Sequence, residues 1–298
     1  HVPLTTWCEE GREEDARRGL GKTAKAMEFF SKSLGVPYAY DKYDQIIVDE
    51  YPGGMENTTA TTMTDACLID KKAALDNDVD SLMSHELAHQ WFGDLLTCRD
   101  WSHAWLNEGF ATYFETLFTL HDKGQDEFDY EHHRNRQAYF QEDSDRYRRP
   151  IVCSTYRSPW VLFDRHLYEK GACVLYMLHG ALGDALWWKS MGHYIRKHRD
   201  QSVETDDLIR AIGEASGRNM RPFFDQWVYR TGYPNFRIRY RLLAGRARGT
   251  AHAELHVLQT QGISDRQPAF KTDVVVRFAG PGWSKEFTKA IGSKDERW

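Results

Sequence analysis

"SHELAHQWFGD", residues 84–94, decides how the rest of the chain is read. His85 and His89 stand four apart, and Glu86 follows the first directly. On an α-helix, positions i and i+4 differ by about 40° in azimuth and about 6 Å in height, so both imidazoles can aim at one metal ion. Glu86 lies about 100° round from His85, beside the metal without being forced onto it, which is where a general base for an activated water belongs. With 13 histidines in 298 residues, a chance H-E-x-x-H arises in roughly one such chain in thirty, so the motif needs support from elsewhere. A catalytic zinc wants three protein ligands and an open position. The candidate third ligand is Glu108 in "WLNEGFA", 19 positions after His89, near the start of the next expected helix. A loop of about ten residues is enough to bring that helix back beside the first. Alone, Glu108 reads as an acid at a helix N-terminus; with HELAH ahead of it, the ligand reading is the stronger.

Composition excludes several classes. The formal net charge of −5 leaves no strong nucleic-acid or anionic-membrane footprint. The short basic run Arg146, Arg148, Arg149 is flanked by acids and reads as a solvated loop. Cysteines 8, 67, 98, 153 and 173 are odd in number and form no CxxC pair, which argues against a disulfide framework and a cysteine zinc site. No apolar run reaches transmembrane length and no signal peptide is recognisable. A cytoplasmic location is expected. The chain opens on His1 rather than Met and is expected to be a piece of something longer.

Periodicity predicts one helix over residues 11–34, stopped by Gly35 and Pro37, then a strand from Asp44 to Tyr51. "PGGMEN" breaks it, and the Thr-rich stretch that follows reads as extended. Asp78 or Asp80 can cap a helix carrying His85 to Phe92 and ending near Gly93. A further helix is expected from about Trp105 to His121. Residues 125–158 are polar and partly loop. From Trp160 the chain reads as helical, with Asp184 and Thr205 as N-caps, Gly217 and Gly232 as C-caps and Pro222 in a first turn. After Pro234 the period changes to two. The division expected is a mixed α/β (α+β) domain over 1–233 and a small all-β domain over 234–298. The remaining histidines read as structural: His103 and His121 at or near the surface, His132 and His133 pointing apart, and His166, His179, His193 and His198 on helices without ligand spacing.

"GGMEN" (53–57), "HELAHQWFGD" (85–94), "WLNEGFA" (105–111) and "YEKGA" (168–172) occur in that order at fitting separations. Together they resemble the gluzincin zinc aminopeptidases, the family of alanyl aminopeptidase and leukotriene hydrolase, over most of residues 1–232. The resemblance implies a thermolysin-like catalytic domain followed by a small β-sandwich. It implies one zinc ion per chain on His85, His89 and Glu108, with Glu86 activating the water. Gly53, Gly54, Met55, Glu56 and Asn57 would form an edge along which a peptide lies, Glu56 holding its free α-amine. Tyr168 would donate to the oxyanion. Physics gives each a reason: a terminal ammonium needs a counter-charge at a fixed distance, glycines allow close backbone approach, and a phenol donor stabilises developing negative charge. Glu115, seven residues after Glu108, is a candidate partner for a zinc ligand.

The expected function is removal of the N-terminal residue from peptides through a zinc-activated water. A zinc endopeptidase with the same HELAH chemistry is the first rival, and GGMEN argues against it. A non-catalytic scaffold or interaction subunit is the second, and the presence of Glu86 and Tyr168 argues against it. Epoxide hydrolysis, as in the leukotriene branch, is a third. Relatives of this kind usually carry a β-rich domain ahead of this segment and often a helical domain after it, so partners are expected to be free-amine peptides and further domains of a longer parent chain.

Overall fold

The computed structural model describes residues 1–244, 251–264 and 267–298. The described chain divides into two units, His1–Thr231 and Gly232–Trp298. In the first, strand β1 (Leu4–Trp7) leads into helices α1 (Glu13–Leu20) and α2 (Thr23–Leu34). The expected single helix over 11–34 is thus two. A Cβ on Gly21 would stand 2.4 Å from the Arg17 carbonyl oxygen, and Thr23 Oγ1 donates to the Leu20 carbonyl at 2.7 Å, so the chain kinks where side-chain bulk is missing. Gly35 ends α2 in the left-handed region at φ 60°, a conformation glycine adopts without strain.

Strands β2 (Tyr43–Val48), β3 (Gly54–Met55) and β4 (Ala60–Thr64) complete a four-stranded sheet in the order β1-β2-β4-β3. β1, β2 and β4 run parallel, and β3 is an antiparallel edge with Gly54 opposite Met63 and Met55 opposite Thr62. Helix α3 (Asp80–Ala88) follows. It ends earlier than expected. After Ala88 the bonds tighten, Gln90 N–H to the Leu87 carbonyl at 3.1 Å and Trp91 N–H to that of Ala88 at 3.0 Å, so His89 sits in the final turn.

Next come β5 (Leu96–Cys98), α4 (Trp105–Lys123) and α5 (Gln125–Asp145). The second of these helices fills the first part of the stretch 125–158 that periodicity leaves unassigned, and the expected loop follows it over 146–158. The inward face of α5 carries Phe128, His132, Tyr139, Glu142 and Asp143, so charge replaces the apolar stripe that periodicity detects. The basic run after it is a loop with Arg146 and Arg148 exposed, as expected, but its third member departs from that reading. Arg149 is buried, its guanidinium donating to Asp164 at 2.6 and 2.8 Å and to the carbonyls of Pro150, Ile151 and Leu162. His166 lies in a turn ahead of α6 (Glu169–Leu182), not on a helix. Helix α7 (Asp184–His198), strand β6 (Gln201–Val203), paired with β5, and helices α8 (Thr205–Ser216) and α9 (Arg221–Trp227) close the unit. The N-caps of α7 and α8 fall one residue early, on Gly183 and Glu204. The core is aromatic: Phe30, Trp91, Phe92, Trp105, Phe110, Phe114 and Phe118 are all fully buried, and the Phe92 and Phe110 rings stack at 4.4 Å.

The second unit holds two small antiparallel sheets. One joins β7 (Phe236–Ala244), β8 (Ala251–Gln259) and β11 (Asp295–Arg297); the other is the pair β9 (Thr272–Gly280) and β10 (Trp283–Ile291). All five cysteines are free, and among the described residues no helix is long and apolar enough to cross a membrane.

Candidate active site

Helices α3 and α4 bring three donors to one point. His85 Nε2 is 3.2 Å from His89 Nε2, and Glu108 Oε2 is 3.3 Å from the first and 3.2 Å from the second. The outer nitrogens are already committed: His85 Nδ1 meets Glu115 Oε2 at 2.9 Å and His89 Nδ1 meets the Phe92 carbonyl at 2.9 Å. A ring that donates from Nδ1 presents a lone pair at Nε2. Two nitrogen lone pairs and a carboxylate oxygen therefore face the same space, which calls for a cation. Tetrahedral zinc, with ligands at about 2.0–2.1 Å, spaces them by roughly 3.4 Å, close to the separations observed. The donor set fits zinc, and the bonds to Glu115 and Phe92 are the kind of outer contacts that orient metal-binding imidazoles.

The electrostatics agree. Burial opposes charge on both imidazoles, yet the carboxylates outweigh it: His85 is raised by Glu108 and Glu115, and His89 is pushed up to about 9 by Glu108 and Glu56. Burial likewise works against the Glu108 carboxylate, but the two histidines hold it well below the usual range. The cluster is a place where positive charge is favoured.

Glu86 sits beside it, 4% exposed, with Oε2 bonded to nothing. Burial first, and the Glu56 and Glu108 charges after it, push its carboxyl up to about 7, against the lowering pull of the histidines. Its position depends on β3. A Cβ on Gly54 would stand 2.2 Å from Glu86 Oε1 and 2.6 Å from its Cγ, so the absent side chain is the space that the carboxylate fills. Gly53 has φ 81° with nothing within 4 Å of its would-be Cβ, a turn requirement. Glu56, Glu86 and His89 gather with ligand atoms within 4.8 Å of one another. Met55 is exposed at the edge, and Asn57 Oδ1 accepts from Thr62 Oγ1 at 3.0 Å.

Gln90 ties this edge to the turn that carries His89, a role that the spacing of the histidines does not predict. Its Nε2 donates to the Glu56 carbonyl at 3.2 Å and its Oε1 accepts from Thr59 N–H at 3.0 Å. Its place directly after HELAH is the sequence signal for it. Tyr168, in the turn before α6, stacks its ring 6.2 Å from that of His85. Gly53, Gly54, Glu56, Glu86, Glu115 and Tyr168 line a cavity of about 380 Å³ together with the three donors. In another group of possible donors, Glu142, Asp164 and His166, Asp164 is already paired with the buried Arg149 guanidinium and Glu142 with His166 and Arg146.

The model of the peptidase family M1 domain matches residues 18–227, and the chain belongs to that family. It is 33% identical over 242 residues to Aminopeptidase 2 of Candida albicans, covering 78% of this chain and 26% of that protein. It is 31% identical over 247 residues to Aminopeptidase M1 of Arabidopsis thaliana, covering 78% and 27%. To Glutamyl aminopeptidase of Bos taurus it is 29% identical over 241 residues, covering 78% and 25%. The chain thus spans about a quarter of the length of these curated relatives.

Proposed function

We propose that this chain is the catalytic part of a zinc-dependent aminopeptidase that removes the N-terminal residue from peptides. In finer terms its first unit is read as a thermolysin-like domain and its second as a β-sandwich. The apolar cleft of about 500 Å³ between the two small sheets, lined by Leu242, Leu255, Val276 and Phe287, supports the latter.

The observation that carries the reading is the grouping of Glu56 with Glu86 and His89 at the rim of the three-donor cluster. An endopeptidase has no use for a second carboxylate there, whereas a terminal ammonium needs one. Held by His85, His89 and Glu108, zinc would supply a Lewis acid that polarises a carbonyl and acidifies water. The residues do the rest. Glu56 binds the amine and sets the register, so that the first peptide bond faces the cluster. Glu86 takes a proton from water and delivers it to the leaving amine. The Tyr168 hydroxyl donates to the carbonyl oxygen as it gains charge. The backbone of Gly54 to Asn57 lies alongside as an edge for the peptide. Substrates are therefore peptides with a free N-terminus. The test is chelation and reconstitution: release of the first residue should stop when metal is removed and return with one zinc per chain. Release that is insensitive to metal removal would refute the reading.

A further inference from the structure

The Gln90 side chain joins the GGMEN edge to the three-donor cluster more firmly than a single bond would. The residue follows His89 directly and is 1% exposed. Each of the four hydrogen-bonding positions of its amide faces a partner. Nε2 donates to the Glu56 carbonyl at 3.2 Å and to Asp94 Oδ2 at 2.6 Å. Oε1 accepts from the Thr59 N–H at 3.0 Å and lies 3.1 Å from the Tyr38 hydroxyl. The Glu56 carbonyl can only accept and the Thr59 N–H can only donate, so the amide has one orientation. Asp94 belongs to the same turn as His89, its N–H donating to the His89 carbonyl at 3.0 Å.

The segment that this amide holds lies just beyond the paired strand. The β3 register ends at Met55, opposite Thr62. Glu56 comes next, and Asn57 to Ala60 form a tight turn closed by the Ala60 N–H on the Asn57 carbonyl at 2.8 Å. Thr59, inside that turn, has φ 64°. A β-branched residue takes up this left-handed conformation only where its surroundings impose it. The bond from the Thr59 N–H to Gln90 is one such constraint, and the Asp44 N–H on the Thr59 carbonyl at 2.8 Å is another. One amide therefore anchors the backbone at Glu56 and again three residues later.

We propose that Gln90 is a positioning residue for Glu56: it fixes how far that carboxylate stands from the cluster, and through that distance the preference for a peptide with a free N-terminus. This role presupposes the aminopeptidase reading. Glu56, Glu86 and His89 already lie with ligand atoms within 4.8 Å of one another, so little slack separates an amine held by Glu56 from a carbonyl at the cluster. Displacing a positioned group by about 1 Å can cost about a hundredfold. Without the amide, the strained turn at Thr59 is free to relax, and Glu56 moves with it. The three donors and Glu86 are carried by helices α3 and α4 and do not depend on that turn.

The test uses the zinc-loaded full chain, one peptide and its N-acetylated twin, and reads the ratio of their kcat/KM values. Gln90→Met keeps the length of the side chain and loses every bond. Gln90→Glu keeps an acceptor for the Thr59 N–H and loses the donor to the Glu56 carbonyl, and it serves where the first variant does not fold. Each should lower the free-amine to acetylated ratio by about fivefold or more. A partly folded or partly loaded preparation scales both peptides alike and leaves the ratio in place, so a merely structural role would not move it. Glu56→Ala is measured alongside. A preference that is lost in Glu56→Ala but kept in the Gln90 variants overturns the role of Gln90 and leaves the aminopeptidase reading standing. If the unaltered protein shows no preference, or Glu56→Ala keeps it, that reading falls and the role of Gln90 with it.

Discussion

Gly109 on α4 and Gly171 on α6 touch backbone to backbone: a Cβ on Gly109 would lie 3.1 Å from the Gly171 Cα. The contact adjoins Glu108 on one helix and lies three residues after Tyr168, just ahead of the other, so it sets how close the candidate third metal ligand and the phenol come. Gly171→Ala would force the helices apart and should cost about 1–3 kcal/mol, as overpacking does. Gly180→Ala, on the same helix with nothing within 4 Å of its Cβ, should instead stabilise by up to about 1 kcal/mol. Urea unfolding of both variants separates these outcomes.

Gly54→Ala acts on chemistry rather than stability. The new methyl would collide with the Glu86 carboxylate, which must move away from its place beside the cluster. Hydrolysis should fall by roughly a hundredfold, since a displacement of about 1 Å has that effect on a positioned group. Zinc content, read by elemental analysis, should be unchanged. A variant with normal activity would mean that Glu86 has room that the structure does not show.

Glu115→Gln removes the charge that His85 Nδ1 meets at 2.9 Å. Loss of such an outer partner typically weakens metal affinity by about 10–100-fold. Competition against a chelator of known affinity measures this directly. His85→Ala in the same assay should lose the metal outright.

Lys170 is almost wholly buried, its Nζ unpartnered and 5.3 Å from the Tyr139 ring. Burial lowers its ammonium from 10.5 to about 8. Between those values the unfolded chain binds the proton and the folded chain does not, so this residue's contribution to stability rises with pH across the window. It amounts to on the order of 3 kcal/mol. The stability advantage of Lys170→Met over the unaltered protein should therefore shrink by that amount as pH rises through the window. A difference that stays flat with pH would show that Lys170 is not held in a desolvated place.

The candidate metal cluster is legible in sequence because its signal is local: two histidines one turn apart and an acid at the next helix start. GGMEN and YEKGA are legible through resemblance, and their proximity to the cluster needs the fold. α5 is hidden because its inward face carries Glu142 and Asp143. Arg148, only five residues after Asp143, pairs with that acid, while Arg149 is bound to Asp164 beyond the loop. Hydrophobic periodicity cannot register a helix held partly by charge. The Gly109–Gly171 contact is hidden for another reason. Glycine in a helix pattern reads as a weak point, and nothing local says that a second glycine faces it.

The measurement that bears most directly on the central claim compares kcat/KM for a peptide and its N-acetylated twin. Glu56 at the rim of the cluster should pair with a free ammonium and be left desolvated by an acetyl cap. The account expects the free-amine peptide to be cleaved at its first bond and favoured by roughly tenfold to a hundredfold or more, with the preference lost in Glu56→Ala while zinc stays bound. Equal cleavage of the two peptides by the unaltered protein would contradict it and favour a zinc endopeptidase.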